Sequence, residues 1–193
     1  MSELDLWFLA IGLAMDCFTV SIASGIILKR IEWTPMLCMA FFFGLFQALM
    51  PLISWALFVK VGYLLQQIDH WIAFGLLLFL GGNMIREAFS NDGVHHFDPH
   101  RLMVLLTLAV ATSIDALAVG ISFAFIGFET LTSIVYPIIV IGLVSFGLSL
   151  VGSGLGVWFG IGIAKKLKPE LLGGIILIII GCKIVIQHLA NGL

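Results

Sequence analysis

The chain is 193 residues long, 61% hydrophobic and 10% charged, with a formal net charge of −2 and a mean hydropathy of +1.19. A soluble domain of this size carries about 25% charged residues, so the composition is that of a membrane protein. It offers no basic face for nucleic acid. The isolated Cys17, Cys38 and Cys182 form no CxxC pair or disulfide framework and read as small buried apolar side chains.

Crossing a bilayer takes about 20 apolar residues. The first such segment, Leu6–Leu28, follows a tail bearing Glu3 and Asp5 where a secretory signal would bear Lys or Arg, so it reads as a retained helix. It holds an acid, Asp16, near its centre. The second, Pro35–Val59, contains Gln47, and the third, Trp71–Phe89, contains Asn83 and ends near Glu87. The fourth, Leu102–Ile126, carries Thr112 and a single charged residue, Asp115. The fifth, Leu131–Trp158, contains Ser145 and begins a stripe of Gly152, Gly156 and Gly160 suited to close helix packing, within the bundle or at a homodimer contact. The sixth, Leu171–Leu189, contains Lys183. The expected fold is an all-α membrane protein of six transmembrane helices joined by short connections, with no soluble domain.

Lys and Arg favour the cytoplasmic side. Seven of the nine (Lys29, Arg30, Arg86, Arg101, Lys165, Lys166 and Lys168) fall on odd-numbered connections, and Lys60 alone falls on an even one. This bias predicts that both termini lie outside and the His-rich third connection inside.

The chain also repeats itself. "AMDCFTVS" over "SIDALAVG" aligns Asp16 with Asp115 at a shift of 99 residues. "FGLFQALMP" over "IGLVSFGLS" pairs Gly44 with Gly142 and Gln47 with Ser145, and "LGGNMIREAF" falls on "IGCKIVIQHL". Residues 1–97 and 98–193 therefore read as two three-helix repeats. Three is odd, so the halves enter the membrane from opposite sides, which is the inverted-topology plan of many secondary transporters.

An ionisable residue at bilayer depth costs at least ~2.5 kcal/mol, and its default reading is functional, the alternative being an Asp that caps a broken helix or hydrogen-bonds a neighbour. Thr19 and Thr112 share the faces of Asp16 and Asp115 on continuous helices, and Gly25 and Gly120 permit close backbone approach. Two carboxylates in low dielectric resist ionising together, whereas a divalent cation favours both charged forms and expels protons as it binds. The oxygens of Asp16, Asp115, Thr112, Gln47, Asn83 and Ser145 form a hard donor set suited to Mg²⁺ or Mn²⁺. Cys17 lies about 100° around the helix from Asp16 and is discounted as a ligand.

The motifs "AMDCFTVSIASG", "FGLFQALMPLISW", "DHWIAFGLLLFLGGNMIREAF" and "ATSIDALAVGISFAF" resemble the MntP-type manganese efflux family, through to "GGIILIIIGCKIVIQHL". The resemblance implies a small inner-membrane exporter of Mn²⁺, with Mn²⁺ as substrate and no cofactor. It carries Asp16 and Asp115 over as the motif acids, Gly25 as the glycine closing the first motif, Gln47 as the polar position before Met-Pro, and Glu87 as the acid ending the third helix. Where the family's first motif reads Ser-Met-Asp-Ala-Phe-Ala, this chain has Ala14, Cys17 and Thr19 in place of Ser, Ala and Ala.

Lys183 either snorkels to the outer surface or serves as counter-ion to the acids, the former being favoured. Glu87 reads as an interfacial anchor or as a ligand that admits cations. His95, His96, Asp98 and His100 read as a solvated turn rather than a metal-collecting cluster. The expectation is a non-enzymatic secondary transporter exporting Mn²⁺, and other divalent cations in its range, with proton exchange as the candidate coupling. The rivals are a small amino-acid exporter and an intramembrane aspartyl protease, whose Gly-x-Gly-Asp context is replaced here by Thr-Ser-Ile-Asp.

Overall fold

The computed structural model describes residues 3–64, 98–128 and 130–159, with further positions between 71 and 86 and between 175 and 186. Regular structure among the described residues is entirely helical. In hydrocarbon a backbone must satisfy its own hydrogen bonds, and long apolar runs do so as helices. The helices are α1 (Glu3–Leu13), α2 (Met15–Leu28), α3 (Trp33–Leu64), α4 (Leu102–Thr112), α5 (Ile114–Phe125) and α6 (Leu131–Phe159).

Four runs are long and apolar enough to cross a membrane: Glu3–Leu28, Trp33–Val59, Leu102–Phe125 and Leu131–Trp158. They agree with the first, second, fourth and fifth predicted spans to within a few residues. The third and sixth spans lie largely outside the described residues, although every described position within them is helical. The first and fourth crossings depart from expectation, because each is two helices in series, interrupted at Ala14 and at Ser113.

The packing is reciprocal. α2 lies against α6, α5 lies against α3, and α3 and α6 cross each other. Glycines set the distances. Gly152 meets Phe18 and Ser21 while Gly156 meets Ile22 and Gly25, so α2 and α6 run in the same direction. Gly44 meets Gly142 and Phe146 while Gly142 meets Ala48, so α3 and α6 run in opposite directions. Gly120 sits on Pro51 and Ser54 of α3. The stripe glycines Gly152 and Gly156 thus pack inside the bundle, on Phe18, Ser21 and Ile22 of α2.

At one end of the bundle the α2–α3 connection meets the head of α4. Glu32 pairs with Arg30 at 2.6 Å and with His100 at 3.5 Å. At the opposite end the Tyr136 hydroxyl donates to Glu3, and Trp55 Nε1 donates to the Phe128 carbonyl. α2 stops at Lys29, whose left-handed backbone (φ 58°) returns its N–H to the Gly25 carbonyl. Large apolar side chains such as Phe8, Phe41, Leu57, Leu143 and Trp158 are exposed around the outside, as a lipid-facing surface requires. Cys17 is buried as expected, but Cys38 and Cys182 are exposed; an apolar outer surface accommodates a thiol as readily as a core does.

Candidate functional site

Both interruptions lie two residues ahead of an acid. Ala14 keeps near-helical angles (φ −80°, ψ −3°), and α2 resumes with Asp16 in its first turn. The Leu13 carbonyl receives a hydrogen bond from Gln47 Nε2 at 3.1 Å. At the second interruption the Ser113 N–H turns back to the Val110 carbonyl, and α5 starts with Asp115 in its first turn. One carboxylate oxygen of Asp115 accepts from the Ala116 N–H at 2.9 Å. Helix N-termini leave N–H groups without helical acceptors and carry partial positive charge, so both acids stand where negative charge is favoured.

Gln47 is fully buried between the two interruptions. Its Oε1 lies 3.1 Å from Ser113 Oγ and 3.6 Å from Cys17 Sγ. Cys17 Sγ is also 3.8 Å from Thr112 Oγ1. Asp16 is next to Cys17 in the chain, and Asp115 lies two residues beyond Ser113. The half-buried acids therefore flank one compact polar cluster of Gln47, Cys17, Thr112 and Ser113.

The expected residues are distributed as follows. Asp16, Asp115, Gln47 and Thr112 gather at or beside this cluster. Thr112 does not reach it by sharing Asp115's helical face, because the turn at Ser113 ends the three-residue periodicity. Its hydroxyl donates back to the Leu108 carbonyl at 2.9 Å and leaves its lone pairs toward Cys17. Thr19 likewise bonds back to the Met15 carbonyl. Ser145 is fully buried on α6, with no hydrogen-bond partner for Oγ among the described residues. Asn83 and Glu87 lie outside the described residues, as do His95 and His96. Gly25 and Gly120 hold the α2–α6 and α5–α3 contacts. Lys183 pairs with Asp5 at 2.5 Å, near the start of α1.

Two site residues escaped the sequence reading. Ser113 carried a signal, a second hydroxyl two residues before the acid in "ATSID". Cys17 was set aside on angular grounds, yet the cluster lies on its side of α2.

The Glu32 end holds a cleft of about 500 Å³ bordered by Arg30, Glu32, Trp33, Cys38 and His100. The Arg30 hydrogen bond holds the Glu32 carboxyl below its usual range against burial, and the charges of Arg30 and His100 add to the effect. Asp98 accepts from the His100 N–H at 3.0 Å and pairs with Arg101, in keeping with a solvated turn. Among the described residues no three His, Cys, Asp or Glu side chains converge to hold a metal.

A multi-span helical protein with two acids at interrupted helices around a buried polar cluster has the layout of a membrane transporter. Comparisons with known proteins agree. Residues 30–185 match a family model described as "Putative manganese efflux pump". Proteins named "Putative manganese efflux pump MntP" from Bacteroides fragilis, Phocaeicola vulgatus and Methanosarcina mazei are 60%, 58% and 46% identical to the chain, each alignment covering 98% of both sequences. The chain belongs to the MntP manganese efflux pump family, a family of transporters and not of enzymes. No solved structure matches it.

Proposed function

We propose that this protein exports Mn²⁺ from the cytoplasm through a site between Asp16 and Asp115. The observation that carries the reading is that each acid opens a half-helix and both flank the one cluster centred on Gln47. Two carboxylates supply the hard, anionic oxygens that Mn²⁺ takes; the Thr112 hydroxyl, in the cluster, and the buried Ser145 hydroxyl of α6, unpartnered among the described residues, are the further oxygen donors proposed. Asn83 and Glu87 complete the proposed donor set.

Several relationships support two inverted three-helix halves, 1–97 and 98–193. The interruptions at Ala14 and Ser113 are 99 residues apart, as the acids are. The first crossing of each half packs on the second crossing of the other. Even the contacts correspond: Ser21 of α2 lies on Gly152 of α6, and the matching Gly120 of α5 lies on Ser54 of α3. Because α3 leaves the Glu32 end and α4 also starts there, the chain between them has to return, a role that suits the third span, Trp71–Phe89. Lys29, Arg30 and Arg101 gather at that end, which makes it the cytoplasmic side of an inner-membrane protein with both termini outside. Rocking of the halves around a fixed site would alternate its access. Protons displaced by Mn²⁺ and regained outside would make the protein an exchanger.

The interruptions also fit an amino-acid exporter, in which half-helix N-termini face a substrate carboxylate. Here each N-terminus already carries a carboxylate of its own, which takes that place and leaves a site for cations. The reading is tested by expressing the protein in a strain lacking its manganese exporters and challenging it with a panel of metals and amino-acid analogues. Restored growth in Mn²⁺ is expected. Protection against an amino-acid analogue with none against Mn²⁺ would sink the proposal.

A further inference from the structure

We propose that Gln47 is a positioning strut that sets the separation of the two half-helix starts, and not a ligand of the transported cation. The inference rests on the Asp16–Asp115 reading above and assigns Gln47 a role within it. A side-chain amide donates at one end and accepts at the other, and here both ends are in use. Nε2 donates to the Leu13 carbonyl, the last of α1, while Oε1 faces Ser113 Oγ at 3.1 Å and Cys17 Sγ at 3.6 Å. The Ser113 hydroxyl is also 2.6 Å from the Ala109 carbonyl, so its one proton is shared between two acceptors.

The amide thus joins the turn before Asp16 to the turn before Asp115, across α3, and couples the two halves of the repeat at one point. Its oxygen could not enter a metal's coordination shell without releasing Ser113 or Cys17. The Leu13 carbonyl would lose its donor if the side chain swung away, and a buried group left without a partner is costly. Pro51, four residues on, has no N–H to offer the Gln47 carbonyl, so α3 is locally freer to adjust around this point. Only one half is built this way. Ser145, at the matching position of α6, is too short to span two helices, and its hydroxyl has no partner among the described residues.

The two roles predict opposite signs for one substitution. A ligand changed from amide to carboxylate gains charge and should hold Mn²⁺ more tightly. A strut changed in the same way loses its donor to Leu13 and should hold Mn²⁺ less tightly. The experiment is Mn²⁺ titration, by calorimetry, of the purified full-length chain and its Gln47→Glu, Gln47→Met, Ser113→Ala and Gln47→Met/Ser113→Ala variants, with melting temperatures alongside. The expected result is an affinity loss of about tenfold or more for both Gln47 variants, the usual scale for groups that orient ligands. Ser113→Ala should show a smaller loss, and the double variant should be no weaker than Gln47→Met. Tighter binding by Gln47→Glu, wild-type binding by Gln47→Met, or additive losses would overturn the proposal. If neither Gln47 variant folds, Ser113→Ala decides alone, since wild-type affinity there would mean that the strut holds nothing. Asp16→Asn serves as the control. Wild-type affinity in that variant would remove the acid-pair site itself, a separate failure.

Discussion

Gly44 and Gly142 face each other where α3 crosses α6, and each leaves room only for a hydrogen. A methyl on Gly44 would stand 2.8 Å from the Gly142 carbonyl oxygen, and one on Gly142 would stand 3.0 Å from that of Gly44. Gly25 and Gly120 are tighter still, against the carbonyls of Ser153 and Pro51. Backbone cannot yield as a flexible side chain does. Gly25→Ala, Gly44→Ala and Gly120→Ala should therefore each lose about 1–3 kcal/mol or more of stability. Gly147 and Gly154 meet nothing within 4 Å, and their Ala variants should melt at or slightly above the wild-type temperature. Thermal unfolding in detergent, followed by size-exclusion chromatography, reads the difference. Equal melting temperatures across both sets would refute this packing.

Lys183, the one Lys or Arg of the predicted span Leu171–Leu189, pairs with Asp5. Asp5 lies near the start of α1, and Lys183 keeps 42% of its side chain exposed, so the pair is an end-of-bundle contact. Asp5 is buried, so Lys183→Met leaves its carboxylate without this partner and should cost about 1–3 kcal/mol of stability, more than an exposed ion pair is worth. Manganese resistance of the expressing strain should be unchanged. Loss of resistance at wild-type protein levels would return Lys183 to the role of counter-ion for the transport acids.

Most of the architecture is written in hydropathy. Four spans, the two acids and the glycine contacts can be read from runs, spacing and the internal repeat. The interruptions cannot. Ala14 is the best of helix formers, and a single Gly such as Gly12 beside it is commonly tolerated inside a helix. The Leu13 carbonyl is engaged instead by a side chain 34 positions away. Once Ser113 ends α4, reasoning from helical faces no longer carries Thr112 to Asp115. The same long-range contact brings Cys17 into the cluster, where a helical wheel drawn around Asp16 alone points it elsewhere. Tertiary hydrogen bonds override local periodicity at these positions.

The orientation can be tested with cysteine labelling in intact cells. A single cysteine at Glu32 or His100 should react with membrane-impermeant reagents only after the inner membrane is opened. One placed at Glu3 should react from outside. The reverse pattern would invert the protein and reverse the direction of transport argued for it.

Carboxylates bind a metal in their deprotonated form. If Asp16 and Asp115 hold the cation, Mn²⁺ affinity of the purified protein should fall as pH falls, and binding in weak buffer should release protons. The sign follows from competition between H⁺ and Mn²⁺ for the same oxygens. Constant affinity from acid to neutral pH with no proton release would show that both acids are already ionised in the empty site, and would exclude proton exchange.

Mn²⁺ uptake into everted inner-membrane vesicles tests the central claim most directly, because export from the cell becomes accumulation that can be measured. Vesicles containing the wild-type protein should concentrate Mn²⁺ above vector controls. Asp16→Asn and Asp115→Asn, present at wild-type levels in the membrane, should each fall to the control, since in the proposed site each acid supplies an anionic ligand with no spare. Wild-type uptake by either variant would take that acid out of the transport site and contradict the account.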